Sequence, residues 1–207
     1  NWEQMNWVFV LVAVVGGFLP TIFWLWFWLQ EDRKKPEPIR LIMKTFIVGG
    51  FFITLAFLLE KFFAPSTNVV SRVSNAYQNN PSFWALVIVS SPLIAWAIIE
   101  ELVKYLAAYT AALKNKHCDE PIDMMVYMIT AALGFSAVEN FLFLLNILSI
   151  DGILSNSFLF TGNLRFLGAT LLHVVTSAVF GVFLSFAFSR NKLTKVRIKL
   201  PKDSFVI

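Results

Sequence analysis

The chain has 207 residues, of which 57% are hydrophobic and only 14% charged, with a formal net charge of +4 and a single cysteine. Soluble domains run at about 45–50% apolar and 25% charged residues, so the deviation points to a membrane protein. Its basic residues sit in short segments between apolar runs, which excludes a phosphate-binding groove and a nucleic-acid partner. One cysteine, Cys118, excludes an internal disulfide, and the pair His117–Cys118 reads as an ordinary loop rather than half of a metal site.

The predicted elements are five apolar helices in one all-α polytopic bundle. They cover residues 6–29, 41–63, 83–113, 122–148 and 163–188, with a basic tail over 189–207. Each is long enough to cross a hydrocarbon core of about 30 Å. The first begins near Asn6, and the chain starts at Asn1 rather than a methionine, so native residues or further spans are expected to be missing at either end. No signal peptide is read at the start. EDRKKPEPIR follows the first span and KNKHCDEP the third, and these two with the tail hold most of the Lys and Arg. The segments after the second and fourth spans share one basic residue, Arg72. The positive-inside rule then predicts an N-terminus outside and a C-terminus in the cytoplasm. Trp2, Trp7, Trp24, Trp26, Trp28 and Trp84 lie near span ends as interfacial anchors or lipid-facing bulk. Gly16–Gly17, Gly49–Gly50 and the run Ala131, Ala132, Gly134, Ser136, Ala137 predict close helix contacts.

The informative residues are the polar ones inside the spans. The third span carries Glu100, Glu101 and Lys104, the fourth Glu139 and Asn140, and the fifth Arg165, His173, Thr176 and Ser177. A charge at a helix centre costs about 2.5–3.5 kcal/mol on insertion scales, so three glutamates on lipid faces would cost on the order of 7–10 kcal/mol. They are expected to face the bundle interior. At 1.5 Å per residue, Glu100, Glu101, Glu139 and His173 fall within a slab of roughly 10 Å. Glu100 and Lys104 are four apart and share a helix face, so Lys104 is expected to balance Glu100 and leave Glu101 freer to act. Arg165 lies about two turns outward, where it either joins the site or snorkels to the surface. Asp123 follows Pro121 at the start of the fourth span, where a carboxylate suits a helix N-terminus.

Carboxylates with a histidine in a low-dielectric site suit water activation. The catalytic candidates are Glu100, Glu101, Glu139 and His173, supported by Lys104, Asn140, Arg165 and Thr176. The same groups could hold a divalent metal such as zinc through Glu101, Glu139 and His173. No HExxH is present. Buried Glu, His, Lys and Arg also build proton or ion relays in transporters, and a non-catalytic scaffold for partner helices is a third reading.

EELVK at Glu100–Lys104 resembles the EExxK motif of the PrsW family of membrane peptidases. GFSAVEN, Gly134 to Asn140, resembles that family's second motif, and Arg165, His173, Thr176 and Gly181 its third. DRKKPEP, Asp32 to Pro38, is similar to its loop after the first span, and Pro121 and Asp123 fit its loop before the fourth. The motif plan is also similar to that of CAAX prenyl endopeptidases, from which Glu139–Asn140 and the lone intramembrane histidine depart. The resemblance implies cleavage of a single-pass membrane protein, with anti-sigma factors as the substrate class, in a bacterial cytoplasmic membrane. It leaves open glutamic-type or metal-dependent chemistry.

Overall fold

The computed structural model describes residues 7–30, 35–63, 75, 78–79, 82–151, 160, 162 and 164–199. Trp2, Arg72, most of the charged loop 31–34 and the tail end 200–207 lie outside the described residues, as do the side chains of Trp84 and of 191–199. The described elements are helical throughout: α1 Trp7–Leu29, α2 Ile39–Phe63, α3 Phe83–Ala108, α4 Pro121–Asp151 and α5 Thr170–Lys199. Four of these, α1, α2, α4 and the first part of α5, are long and apolar enough to cross a membrane by the described residues alone. The 26-residue α3 makes the fifth helix of the predicted bundle.

Two junctions depart from the α-helical expectation. The third predicted span ends in a π-helical turn, Tyr109–Leu113, and the fifth begins in one, Arg165–Ala169. The second carries Arg165, which pairs with Glu139.

α4 is the centre of the bundle and packs against α1, α2, α3 and α5. Its small residues do what their spacing predicts. A Cβ on Gly134 would lie 1.9 Å from the Phe46 carbonyl oxygen, and one on Gly49 would lie 2.2 Å from that of Ala131. Only glycine permits this approach of α2 to α4, and in lipid such close packing replaces the hydrophobic drive that water supplies. Ile53 and Ala56 of α2, Val103 of α3 and Phe135 of α4 fill the space beside the crossing.

The start of α4 shows why it begins where it does. Pro121 opens the helix, and the Asp123 carboxylate accepts the backbone N–H of Glu120 at 2.7 Å and of Asp119 at 2.9 Å. This satisfies donors that a helix start leaves free, with Pro at the position where its missing N–H matters least. Asp123 is thus a buried helix cap and no part of the site. The loops at this end meet: Lys35 pairs with Asp119 at 2.7 Å and Glu120 at 3.1 Å, and Tyr127 donates to Glu37. Leu29 of α1, Leu41 of α2, Leu113 after α3, Met124 of α4 and Phe188 of α5 share one apolar cluster with Cys118. Helix ends flanked by the basic segments therefore gather at one end of the bundle, as the alternation of charge requires. His117 is exposed while Cys118 is buried in that cluster, so the two do not form a ligand pair.

The tryptophans divide. Trp7 and Trp26 are exposed on the bundle surface, where lipid would meet them. Trp24 and Trp28 pack instead against Ile129, Leu133 and Val174.

Candidate active site

The intramembrane charges converge between α3, α4 and α5. Lys104 is the hub. Its side chain is 1% exposed, and its ammonium donates to Glu101 Oε1 at 2.8 Å, to Glu100 Oε2 at 3.4 Å and to His173 Nδ1 at 2.8 Å. Three protons thus meet three acceptors. Because an ammonium only donates, His173 Nδ1 accepts, which assigns its proton to Nε2. Nε2 in turn donates to Glu139 Oε2 at 2.8 Å, and the other oxygen of Glu139 takes Arg165 Nη2 at 2.7 Å. A continuous row runs Glu101–Lys104–His173–Glu139–Arg165, crossing from α3 through α5 to α4. Phe135 lies under it, 5.0 Å from the Lys104 nitrogen and 5.8 Å from the His173 ring.

All the residues named from the sequence as catalytic, Glu100, Glu101, Glu139 and His173, meet in this network. Lys104, Arg165 and Thr176 join them. Arg165 does not snorkel: it packs over the Phe143 ring at 4.0 Å and holds Glu139.

The two adjacent glutamates are unequal, in the opposite sense from the expectation. Lys104 lies nearer to Glu101 than to Glu100. Glu101 also faces Thr176 Oγ1 at 2.9 Å, and its second oxygen accepts from Ser177 at 2.7 Å. Among the described residues, Glu100 meets Lys104 at 3.4 Å and His173 Nδ1 at 3.6 Å, both at one oxygen. The physical reason is that positions three and four apart are both helix neighbours, so a lysine at 104 reaches either glutamate. The additional donors then come from α5, which no spacing within α3 reveals. Ser177 was visible as one turn beyond His173 on the same stripe, and it is the donor that ties Glu101 down.

Asn140 stands apart from this row. Its amide donates to Thr170 Oγ1 at 2.9 Å and to Ser136 Oγ at 3.2 Å, and it reaches neither His173 nor Glu139. A fourth carboxylate went unnoticed in the sequence because it sits near a span end: Glu60 of α2, half-buried, within electrostatic reach of Glu100, Glu139 and Lys104.

As a metal set, Glu101, Glu139 and His173 are not brought to one point. The Lys104 ammonium separates Glu101 from His173, and both imidazole nitrogens are engaged. Among the described residues no three His, Cys, Asp or Glu side chains converge as ligands.

Comparison with known proteins gives the family of the chain. A family model described as "PrsW family intramembrane metalloprotease" matches residues 37–207. The chain is 24% identical over 179 residues to "Protease PrsW" of Geobacillus kaustophilus, covering 86% of this chain and 66% of that protein. It is 30% identical over 119 residues to the protein of that name in Clostridioides difficile, covering 57% of this chain and 44% of that one. Against "Protease PrsW" of Bacillus subtilis it is 22% identical over 204 residues, 96% of this chain and 78% of that protein. The chain thus spans about two thirds or less of the length of the first two relatives. No solved structure matches it. With the family model covering most of the chain, and Glu100, Glu101, Glu139 and His173 meeting on three helices, this multi-pass membrane protein belongs to the PrsW family.

Proposed function

We propose that the chain is the core of an intramembrane peptidase that hydrolyses a peptide bond in a single-pass membrane protein, with anti-sigma factors as the substrate class. It would lie in the bacterial cytoplasmic membrane with its N-terminus outside and C-terminus inside. The observation that carries this reading is the unequal pair on α3: one glutamate engaged at both oxygens, one with a single oxygen engaged among the described residues, beside a buried cation. Glu100 is the water-activating base. It takes a proton from water as the oxygen attacks the scissile carbonyl, and returns it to the departing amide nitrogen as the C–N bond breaks. Lys104, its three protons already engaged, donates none to the oxyanion; it sets a fixed positive charge beside Glu100 that offsets the negative charge developing there. Glu101 holds Lys104 in place, and Thr176 and Ser177 hold Glu101. Glu139 and Arg165 orient His173 so that its Nδ1 faces Lys104.

As arranged, Glu101, Glu139 and His173 do not converge as a ligand set, and the hydrolytic step runs through Glu100 instead. Metal dependence is decided by experiment. The purified full chain in nanodiscs is given a panel of single-pass substrates, including an anti-sigma-factor type, with and without chelator. Cleavage is expected, and Glu100→Gln is expected to lower it by about 10²–10⁴ with its thermal transition kept. Chelator loss restored by zinc would overturn the metal-free mechanism. Full activity in Glu100→Gln would overturn the base assignment. Proton flux that depends on Glu139, without any cleavage, would move the protein to the transporter class.

A further inference from the structure

Asn140 has an unexplained arrangement. It is 1% exposed, both of its amide protons go to hydroxyls, and its Oδ1 is buried with no partner among the described residues. Such an orphan acceptor asks what the amide is kept for. The answer lies with Thr170, which is fully buried and closes the π-helical turn at the start of α5. The Arg165 carbonyl accepts both the backbone N–H of Thr170 and its hydroxyl, the latter at 2.9 Å. Having given its one proton there, the Thr170 oxygen must accept from Asn140, which fixes the amide's orientation. Ser136, one turn before Asn140 on α4, lies 3.3 Å from the same oxygen.

The turn matters for what it aims. On a regular α-helix, Arg165 and His173 would stand about 80° apart around the axis; one residue absorbed in a π turn brings them to within roughly 20°. That is the phase at which both reach the one carboxylate of Glu139, Arg165 at 2.7 Å and His173 at 2.8 Å. The geometry points to Thr170, latched by Asn140 and Ser136, as the positioning residue that holds the π turn and so sets Arg165 on Glu139. This rests on the reading that the Glu139–His173 row serves peptide hydrolysis.

The test compares Thr170→Val, which keeps shape and loses the hydroxyl, with Thr170→Ser, which restores it. In the full chain in nanodiscs, Thr170→Val is expected to lower kcat by about 10–100-fold with little change in KM. Thr170→Ser is expected to recover most of that. Because the latch acts through Arg165, adding Thr170→Val to Arg165→Gln should lower kcat no further. Backbone hydrogen exchange over 166–173 reads the latch without any activity: protection should fall in Thr170→Val and return in Thr170→Ser. Ser136→Ala, a milder loosening, serves if Thr170→Val does not fold. Additive losses, no rescue by serine, or unchanged exchange would each overturn the latch. Absent cleavage in the unaltered protein would overturn the peptidase reading instead, with the exchange arm still deciding the latch.

Discussion

The α2–α4 crossing and the α3–α5 seam join helices by opposite means. At the crossing, backbone meets backbone: the positions of Gly49 and Gly134 leave no room for a methyl group, and the surroundings are apolar. At the seam, side chains meet across polar contacts: Lys104 with His173, and Glu101 with Thr176 and Ser177. One aromatic contact accompanies them, Tyr105 edge-on to Phe180 at 5.7 Å. Polar contacts between membrane helices are worth about 0.6–1.7 kcal/mol each, whereas backbone packing is lost all at once when it is forced apart. The crossing is a frame, and the seam is a joint made of the site's own groups. Stability and chemistry are therefore separable at the first and entangled at the second.

The strongest challenge to that contrast is Lys104→Met. It leaves Glu100 and Glu101 without their buried cation, and breaking such a pair costs about 3–5 kcal/mol. Both thermal stability and cleavage are expected to collapse together. A variant that kept either would show that Lys104 is no hub.

Next is Gly134→Ala. Its new methyl group meets a backbone carbonyl that cannot turn away, so α2 must shift. A stability loss of about 1–3 kcal/mol is expected, with cleavage lost only in proportion to unfolded protein. Gly168→Ala is the control, since a Cβ there meets nothing within 4 Å. Equal effects at the two glycines, measured by thermal scanning, would remove the distinction between frame and joint.

How much of this was readable beforehand follows from the kind of force involved. Hydropathy marks where a chain enters lipid, so the helix limits at Trp7–Leu29 and Ile39–Phe63 fall within about two residues of the predicted spans. Charges in lipid announce a site because their isolation is so costly, and Glu100, Glu139 and His173 were found that way. Partner choice was not readable. Lys104 could reach either glutamate, and the donors on α5 decided between them. Nor does residue spacing reveal a π turn, since one additional residue in a helix leaves hydropathy unchanged while rotating Arg165 toward Glu139.

A smaller effect tests the joint alone. Ser177→Ala removes one of the donors to Glu101, a contact between membrane helices worth about 0.6–1.7 kcal/mol. Cleavage is expected to fall several-fold, and the thermal transition to fall with it. If stability falls and turnover does not, Ser177 belongs to the frame.

The mildest probe asks which region water reaches. Cys118 is packed among Leu41, Met124 and Tyr127 at the loop end of the bundle, and burial pushes its thiol up to about 12. At pH 8 its thiolate is then about a thousandfold scarcer than at an ordinary cysteine. A small water-soluble thiol reagent should leave the native protein almost unlabelled and react once it unfolds. The sign of the linked stability is fixed as well: the folded thiol keeps its proton while the unfolded one loses it near 9, so this contribution is intact below about pH 9 and declines toward 12. Thr176→Cys places a second thiol in the seam, beside Glu101. A peptidase joint must admit water, so this thiol should label in the folded protein well before Cys118. Equal silence at both positions would mean that the seam is as dry as the packed cluster around Cys118, and hydrolysis at Glu100 would then have no source of water.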